Sequence, residues 1–170
     1  MKGLIFKITI MLICSCCIDA VAIAQAKFAG SFKTLIGQKY KYSSDLKILK
    51  GYTFFQGDVI SDINDPDQLT SDVYKKGNTT IVFFSKKIEG DSLYQVYDVL
   101  EIKDAMKGWE IKIATCSDNH NPNVEIVALV RSTNAEVAKV IKRAWRFNRD
   151  KIRFEQIPTK GIECINEGQD

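Results

Sequence analysis

Cys116 and His120 are the residues whose types and spacing first suggest chemistry, a thiolate nucleophile with an imidazole base four positions away. Asp118 or Asn119 would orient the ring. His120 is the chain's one histidine, which rules out a zinc site built from several histidines and a two-histidine relay within one chain. Its setting, Ser117-Asp118-Asn119-His120-Asn121-Pro122-Asn123, has the composition of a surface turn. The competing fate of Cys116 is a disulfide with Cys164. These two cysteines remain once Cys14, Cys16 and Cys17 are assigned to a leader, and in an exported chain the bond is the favoured expectation.

Lys139, Lys142, Arg143, Arg146, Arg149, Lys151 and Arg153 form the densest charge cluster. If the segment is helical, Lys139, Arg143 and Arg146 share one face, with Lys142 and Arg149 beside them. That face would suit an acidic protein or an anionic envelope polymer. The bland alternative is a solvated helix face with its cations near the C-terminus. Aromatic residues do not alternate with these charges, as a stacking platform for single strands requires, and no intracellular nucleic acid is expected as a partner.

The acidic run Asp58, Asp62, Asn64, Asp65, Asp67 and Asp72 invites a calcium reading, but the spacing fails. Counted from Asp62, Pro66 and Asp67 occupy positions five and six, where an EF-hand loop places a ligand and a glycine. Asp65 serves better as an N-cap, with Pro66 in the first turn, Leu69 and Val73 on one apolar face, and Gly77 at the end. Glu101, Glu110 and Glu125 lie on three successive strand-like runs and would form a hydrolase pair only if the register allowed it. The mature chain contains no Gly-rich phosphate loop, nucleophile elbow, H-E-x-x-H or C-x-x-C, and neither cofactor nor metal is expected.

The elements that must position these residues run from Thr79 to Phe154. Trp109, Ile111, Ile113 and Thr115 alternate with Glu110, Lys112 and Ala114, the period of a half-buried strand. Thr79–Phe84 and Val124–Val130 are short, nearly continuous apolar runs rich in β-branched or aromatic residues, as in strands covered on both faces. Leu93–Ile102 reads as a strand with a partly polar face. The connections between these runs are too short for helical crossovers, which predicts an antiparallel meander of about four strands.

Thr133 and Glu136 then fit a capping box. Val137, Val140, Ile141, Ala144 and Trp145 recur at helical spacing, predicting a long amphipathic helix over Asn134–Asn148 that packs on the sheet. A C-terminal strand follows. Upstream, Phe28, Phe32, Leu35 and Ile36 precede Gly37 at the spacing of a short helix, while Leu46–Leu49 and Tyr52–Phe55 read as a kinked edge strand or a hairpin arm.

Met1–Ala26 has the three parts of a secretory signal peptide: Lys2 and Lys7, the uncharged run Ile8–Ile18, and two overlapping A-x-A sites at Ala22-Ile23-Ala24 and Ala24-Gln25-Ala26. Its apolar core is too short to span a bilayer. Lipid anchoring at Cys16 is the minor alternative. The leader and composition resemble those of small exported bacterial proteins.

Without the leader the formal charge falls from +3 to near +2, too balanced for a dedicated polyanion binder. The remaining chain, 27–170, is long enough for one domain with its own core and contains no further membrane-spanning run. The expectation is a periplasmic or secreted α+β domain. Its function would be that of a non-enzymatic binding module for a protein or anionic envelope component. A small hydrolase using Cys116 with His120, or a carboxylate pair, and a structural envelope protein are the alternatives.

Overall fold

The computed structural model describes residues 31–61, 68–103 and 107–166. The expected leader, the lipid-anchor position Cys16 and Phe28 lie outside the described residues, as do Asp62, Asn64, Asp65, Pro66 and Asp67. Among the described residues no helix reaches seven residues, and none is long and apolar enough to cross a membrane. The architecture is antiparallel β throughout.

The strands are β1 (Lys39–Tyr40), β2 (Thr53–Val59), β3 (Leu69–Lys76), β4 (Thr79–Lys87), β5 (Tyr94–Ile102), β6 (Trp109–Ile113) and β7 (Cys116–Asp118). They continue as β8 (Asn121–Pro122), β9 (Ile126–Arg131), β10 (Val137–Ala138), β11 (Ile141–Asn148), β12 (Arg153–Ile157) and β13 (Ile162–Ile165). Three sheets result, ordered β1-β5-β4-β3-β2, β12-β11-β9-β6 and β10-β13-β7-β8.

Alternation along the strands builds the core in layers. Val73, Val82, Phe84 and Ile102 of the first sheet pack against Ile111, Val127, Leu129, Trp145 and Phe147 of the second. The stacked rings of Phe84 and Phe147, 4.2 Å between centroids, join the two layers. The opposite residues of the same strands face outward into further layers. Tyr74, Ile81, Phe83 and Val96 meet a strap of short 3-10 turns, Ser31–Leu35, Ser43–Asp45 and Lys47–Leu49. Ile126, Ala128, Val130 and Ala144 meet Cys116, Ala138, Ile162 and Cys164 of the third sheet. β4 and β9 are therefore covered on both faces, which is why their sequences are apolar at nearly every position.

The long amphipathic helix over Asn134–Asn148 is not formed. That segment makes β10 and β11, so the fold is β-rich rather than α+β. β11 has two buried faces, Ala144 toward the third sheet and Trp145 with Phe147 toward the first, and this pattern places apolar residues at spacings that mimic a helix. β-Branched Val137, Val140 and Ile141 and aromatic Trp145 and Phe147 favour the strand. Thr133 does not cap a helix; its Oγ1 accepts from the Ala135 N–H at 3.1 Å in a local turn.

The expected helix ending at Gly77 is also replaced. Leu69 and Val73, four apart, share a face in a strand as well as in a helix, and here they lie on β3. Gly77, at φ 56°, opens the two-residue turn into β4. The four-strand meander is corrected too. β4 pairs with β5 and β6 with β9, but β5 and β6 belong to different sheets, and Ser117–Asn123 contains the β7–β8 hairpin. Leu46–Leu49 contributes a 3-10 turn, whereas Thr53 begins edge strand β2.

Candidate functional site

Cys116 and Cys164 lie directly opposite each other on β7 and β13 and form a disulfide. The Cys116 sulfur is therefore bonded, and His120 has no thiol to activate. Asn119 and His120, at φ 49° and 67°, form the two-residue turn of the β7–β8 hairpin, a left-handed pair favoured by the twist of a tight hairpin. The exposed His120 ring donates from Nδ1 to Glu163 Oε1 at 2.7 Å.

The basic series is divided among several partners. Lys139 Nζ lies 3.9 Å from Glu163 Oε2, and Arg146 Nη2 donates to Asp118 Oδ2 at 2.6 Å. Arg149 bonds Glu125 through Nε and reaches the Ile60 carbonyl through Nη2 at 3.3 Å. Lys142 and Arg143 sit at a bulge in β11, where the first lies over the Trp109 ring and the second over the Trp145 ring, 5.5 and 5.1 Å from their centroids. Lys151 and Arg153, with the Asn148 amide, all engage Glu155, which holds that half-buried carboxyl down at about 2.

The three strand glutamates are not brought together. Glu101 belongs to the first sheet and pairs with Lys103 at 3.3 Å; Glu110 belongs to the second and pairs with Lys112 at 3.5 Å; Glu125 is held by Arg149. Among the described residues no group of three or more His, Cys, Asp or Glu side chains is arranged to hold a metal ion.

The concave site lies elsewhere, on the outer face of the first sheet where the strap leaves it uncovered. There the chain forms an open cleft of about 480 Å³, beside a second hollow of about 550 Å³ lined by Leu46, Leu49 and Tyr52. On β3, Thr70, Asp72 and Tyr74 share the outward parity, opposite Leu69, Ser71 and Val73, which turn inward. β2 contributes Phe54, Gly57 and Val59 in register with Tyr74, Asp72 and Thr70. From the far edge, Tyr40 and Tyr94, paired across β1 and β5 and stacked with centroids 5.8 Å apart, complete the wall. Tyr42 and Phe54 stand at the rim, 62% and 51% exposed.

Asp72 is the ionisable group of interest. Tyr40 donates its phenolic proton to Oδ2 at 3.2 Å. Burial, opposed by this bond and assisted by the charge of Asp58, pushes the Asp72 carboxyl up to about 6. Burial likewise raises Tyr40 and Tyr74. The other oxygen, Oδ1, lies against Gly57: a Cβ at position 57 would come within 2.7 Å of it and 3.1 Å of Phe54 Cζ. The carboxylate and the phenyl ring thus occupy the volume that a side chain at position 57 would need, and glycine lets both pack against the β2 backbone.

Sequence reasoning placed Asp72 in an acidic run and missed this cleft. The signal was there in the alternation of Thr70, Asp72 and Tyr74 against Leu69, Ser71 and Val73, which marks a carboxylate on an aromatic strand face once a period of two is adopted. Comparison of the chain with protein-family models, with curated proteins and with solved structures finds no match in any of the three.

Proposed function

We propose that the protein is an exported, non-enzymatic binding module whose ligand occupies the aromatic cleft on the outer face of the first sheet. One observation carries this reading: a partly buried carboxylate, Asp72, sits among Tyr40, Phe54, Tyr74 and Tyr94 in a cleft of about 480 Å³. Apolar and aromatic walls with a few placed polar groups, here Asp72, Asp58 and Thr70, are the usual composition of a ligand site. The leader-like pattern of Met1–Ala26 and the Cys116–Cys164 bond support the exported setting, since disulfides persist in oxidising compartments.

The basic series supports an anionic polymer less well, because Lys139, Arg146 and Arg149 each already meet a carboxylate. A hydrolase using Cys116 loses its nucleophile to the disulfide.

Two variants separate the surfaces. Gly57→Val displaces the Asp72 carboxylate and the Phe54 ring from their places over the β2 backbone, whereas the triple charge reversal at Lys142, Arg143 and Arg146 alters the β11 cations. Each is checked for a native circular dichroism spectrum and then screened against small polar molecules, amines, sugars and anionic polymers by thermal shift. The expected result is a ligand whose stabilisation is lost in Gly57→Val and retained in the charge-reversal variant; the reverse pattern moves the site to β11 and overturns the reading.

A further inference from the structure

The cleft's chemistry specifies a class of ligand, and the argument rests on the cleft being the binding site. Asp72 lacks a counter-cation: the influences on its carboxyl are burial, the Tyr40 hydroxyl and the charge of Asp58, and among the described residues no lysine or arginine bonds it. Lys41, which also lines the cleft, lies instead over the Tyr42 ring, 5.6 Å from its centroid. On the same face of the sheet Lys76 lies over Tyr52 at 5.5 Å, whereas Lys75, over Phe55 at 3.0 Å, is on the opposite face near Glu110. Among the described residues no cation of the protein covers Tyr40, Phe54, Tyr74 or Tyr94 in this way. Tyr40 and Tyr74 are buried against Phe83 and neighbouring rings, and of these four Phe54, 51% exposed, is the ring most open to a ligand.

We propose that the cleft binds an organic cation, with an ammonium group seated against the Asp72 carboxylate, near Asp58, and bordered by the rings of Phe54, Tyr40 and Tyr94 that line the same cleft. A quaternary or primary ammonium gains twice in such a place, from the carboxylate and from the negative faces of the rings. A metal ion is a poor fit, since calcium seeks six to eight oxygen ligands and this cleft presents two carboxylates, Asp58 and Asp72, among rings, with Asp58 accepting from the Gln56 amide. A neutral sugar can stack on the rings, but it leaves the Asp72 charge uncompensated. Ionised Asp72 is held in the fold at a cost, and a cationic ligand removes that cost on binding.

The test uses the full chain with its disulfide intact at pH 7.5 and low salt, and isothermal titration calorimetry with four probes. Choline and n-butylammonium are the cations, 3,3-dimethylbutan-1-ol is the neutral isostere of choline, and cellobiose represents sugars. The expected result is that a cation binds at least tenfold more tightly than the neutral alcohol. Asp72→Asn, shown to be folded by circular dichroism, loses at least tenfold in that affinity, and Gly57→Val loses it as well. Equal affinity for choline and its isostere, or no loss in Asp72→Asn, overturns the cation assignment. Cellobiose binding that Gly57→Val abolishes, with no binding of either cation, overturns the assignment but leaves the cleft as the ligand site. Absence of binding by all four probes also overturns the assignment, while a ligand found by screening and lost only in the β11 charge reversal overturns the site itself.

Discussion

The Tyr40 hydroxyl lies 3.2 Å from Asp72 Oδ2, although β5 and β4 stand between their strands in the sheet. Tyr40 reaches across by packing edge-on to Phe83 of β4, with centroids 6.1 Å apart, and Phe83 in turn stacks on Tyr74. One hydrogen bond thus fixes both the orientation of the cleft carboxylate and the position of the short edge strand. Tyr40→Phe keeps the ring packing and removes the donor. It should cost about 1–2 kcal/mol in urea denaturation and raise the Asp72 midpoint further, because the lost bond favours the ionised form. An unchanged midpoint would contradict this role for the hydroxyl.

Asp72 makes stability depend on pH in a defined direction. Its carboxyl titrates at about 6 in the fold against 3.8 ordinarily, so the folded state holds an extra proton between those values. The associated stability is fully present below about pH 3.8 and declines as pH rises to about 6, by roughly 3 kcal/mol at most. The groups facing Asp72 are Tyr40 from β1, Asp58 from β2 and Tyr74 from its own strand, while Tyr94 and Lys41 line the same cleft. Asp98 of β5, raised by burial while accepting from the Phe154 N–H at 2.6 Å, adds a slope of the same sign. The stability of Asp72→Asn minus that of wild type should therefore grow from pH 4 to 6 and then level off. A difference that is flat with pH would refute the linkage.

The disulfide closes a separation of 48 residues, and in the chain-entropy account its removal costs about 4 kcal/mol. No thiol should react in the native or unfolded protein until reductant is added. The Cys116→Ser, Cys164→Ser double variant should unfold at lower denaturant, with the third sheet losing amide protection before the first. A titratable thiol in the unfolded, unreduced protein would exclude the bond.

Trp145, 7% exposed, fills the space between the first and second sheets rather than lying beneath a helix. Trp145→Ala should cost about 3–5 kcal/mol. The far-ultraviolet circular dichroism of the wild type should show a sheet spectrum with no helical minimum at 222 nm.

The difference between sequence and fold is clearest at β11 and the cleft. Thr79–Phe84, Trp109–Ile113 and Val124–Val130 reveal their strands because apolar content and alternation admit few other readings. In 141–148, burial on both faces places Ala144 beside Trp145, and a single period cannot separate that pattern from a helix stripe. Leu69 and Val73 share the ambiguity, since a spacing of four keeps one face in either conformation. The Cys116–Cys164 pairing was legible from cysteine arithmetic. The cleft was not, because Tyr40 meets Asp72 only after β1 pairs with β5, a neighbour 54 positions along the chain in the Tyr40–Tyr94 register.

The most direct measurement is the carboxyl carbon-13 titration of Asp72 by NMR, from pH 4 to 8, with and without saturating choline. Preferential cation binding to the ionised carboxylate requires a midpoint near 6 in the free protein and a lower one in the complex. A midpoint that choline leaves unmoved would contradict the account.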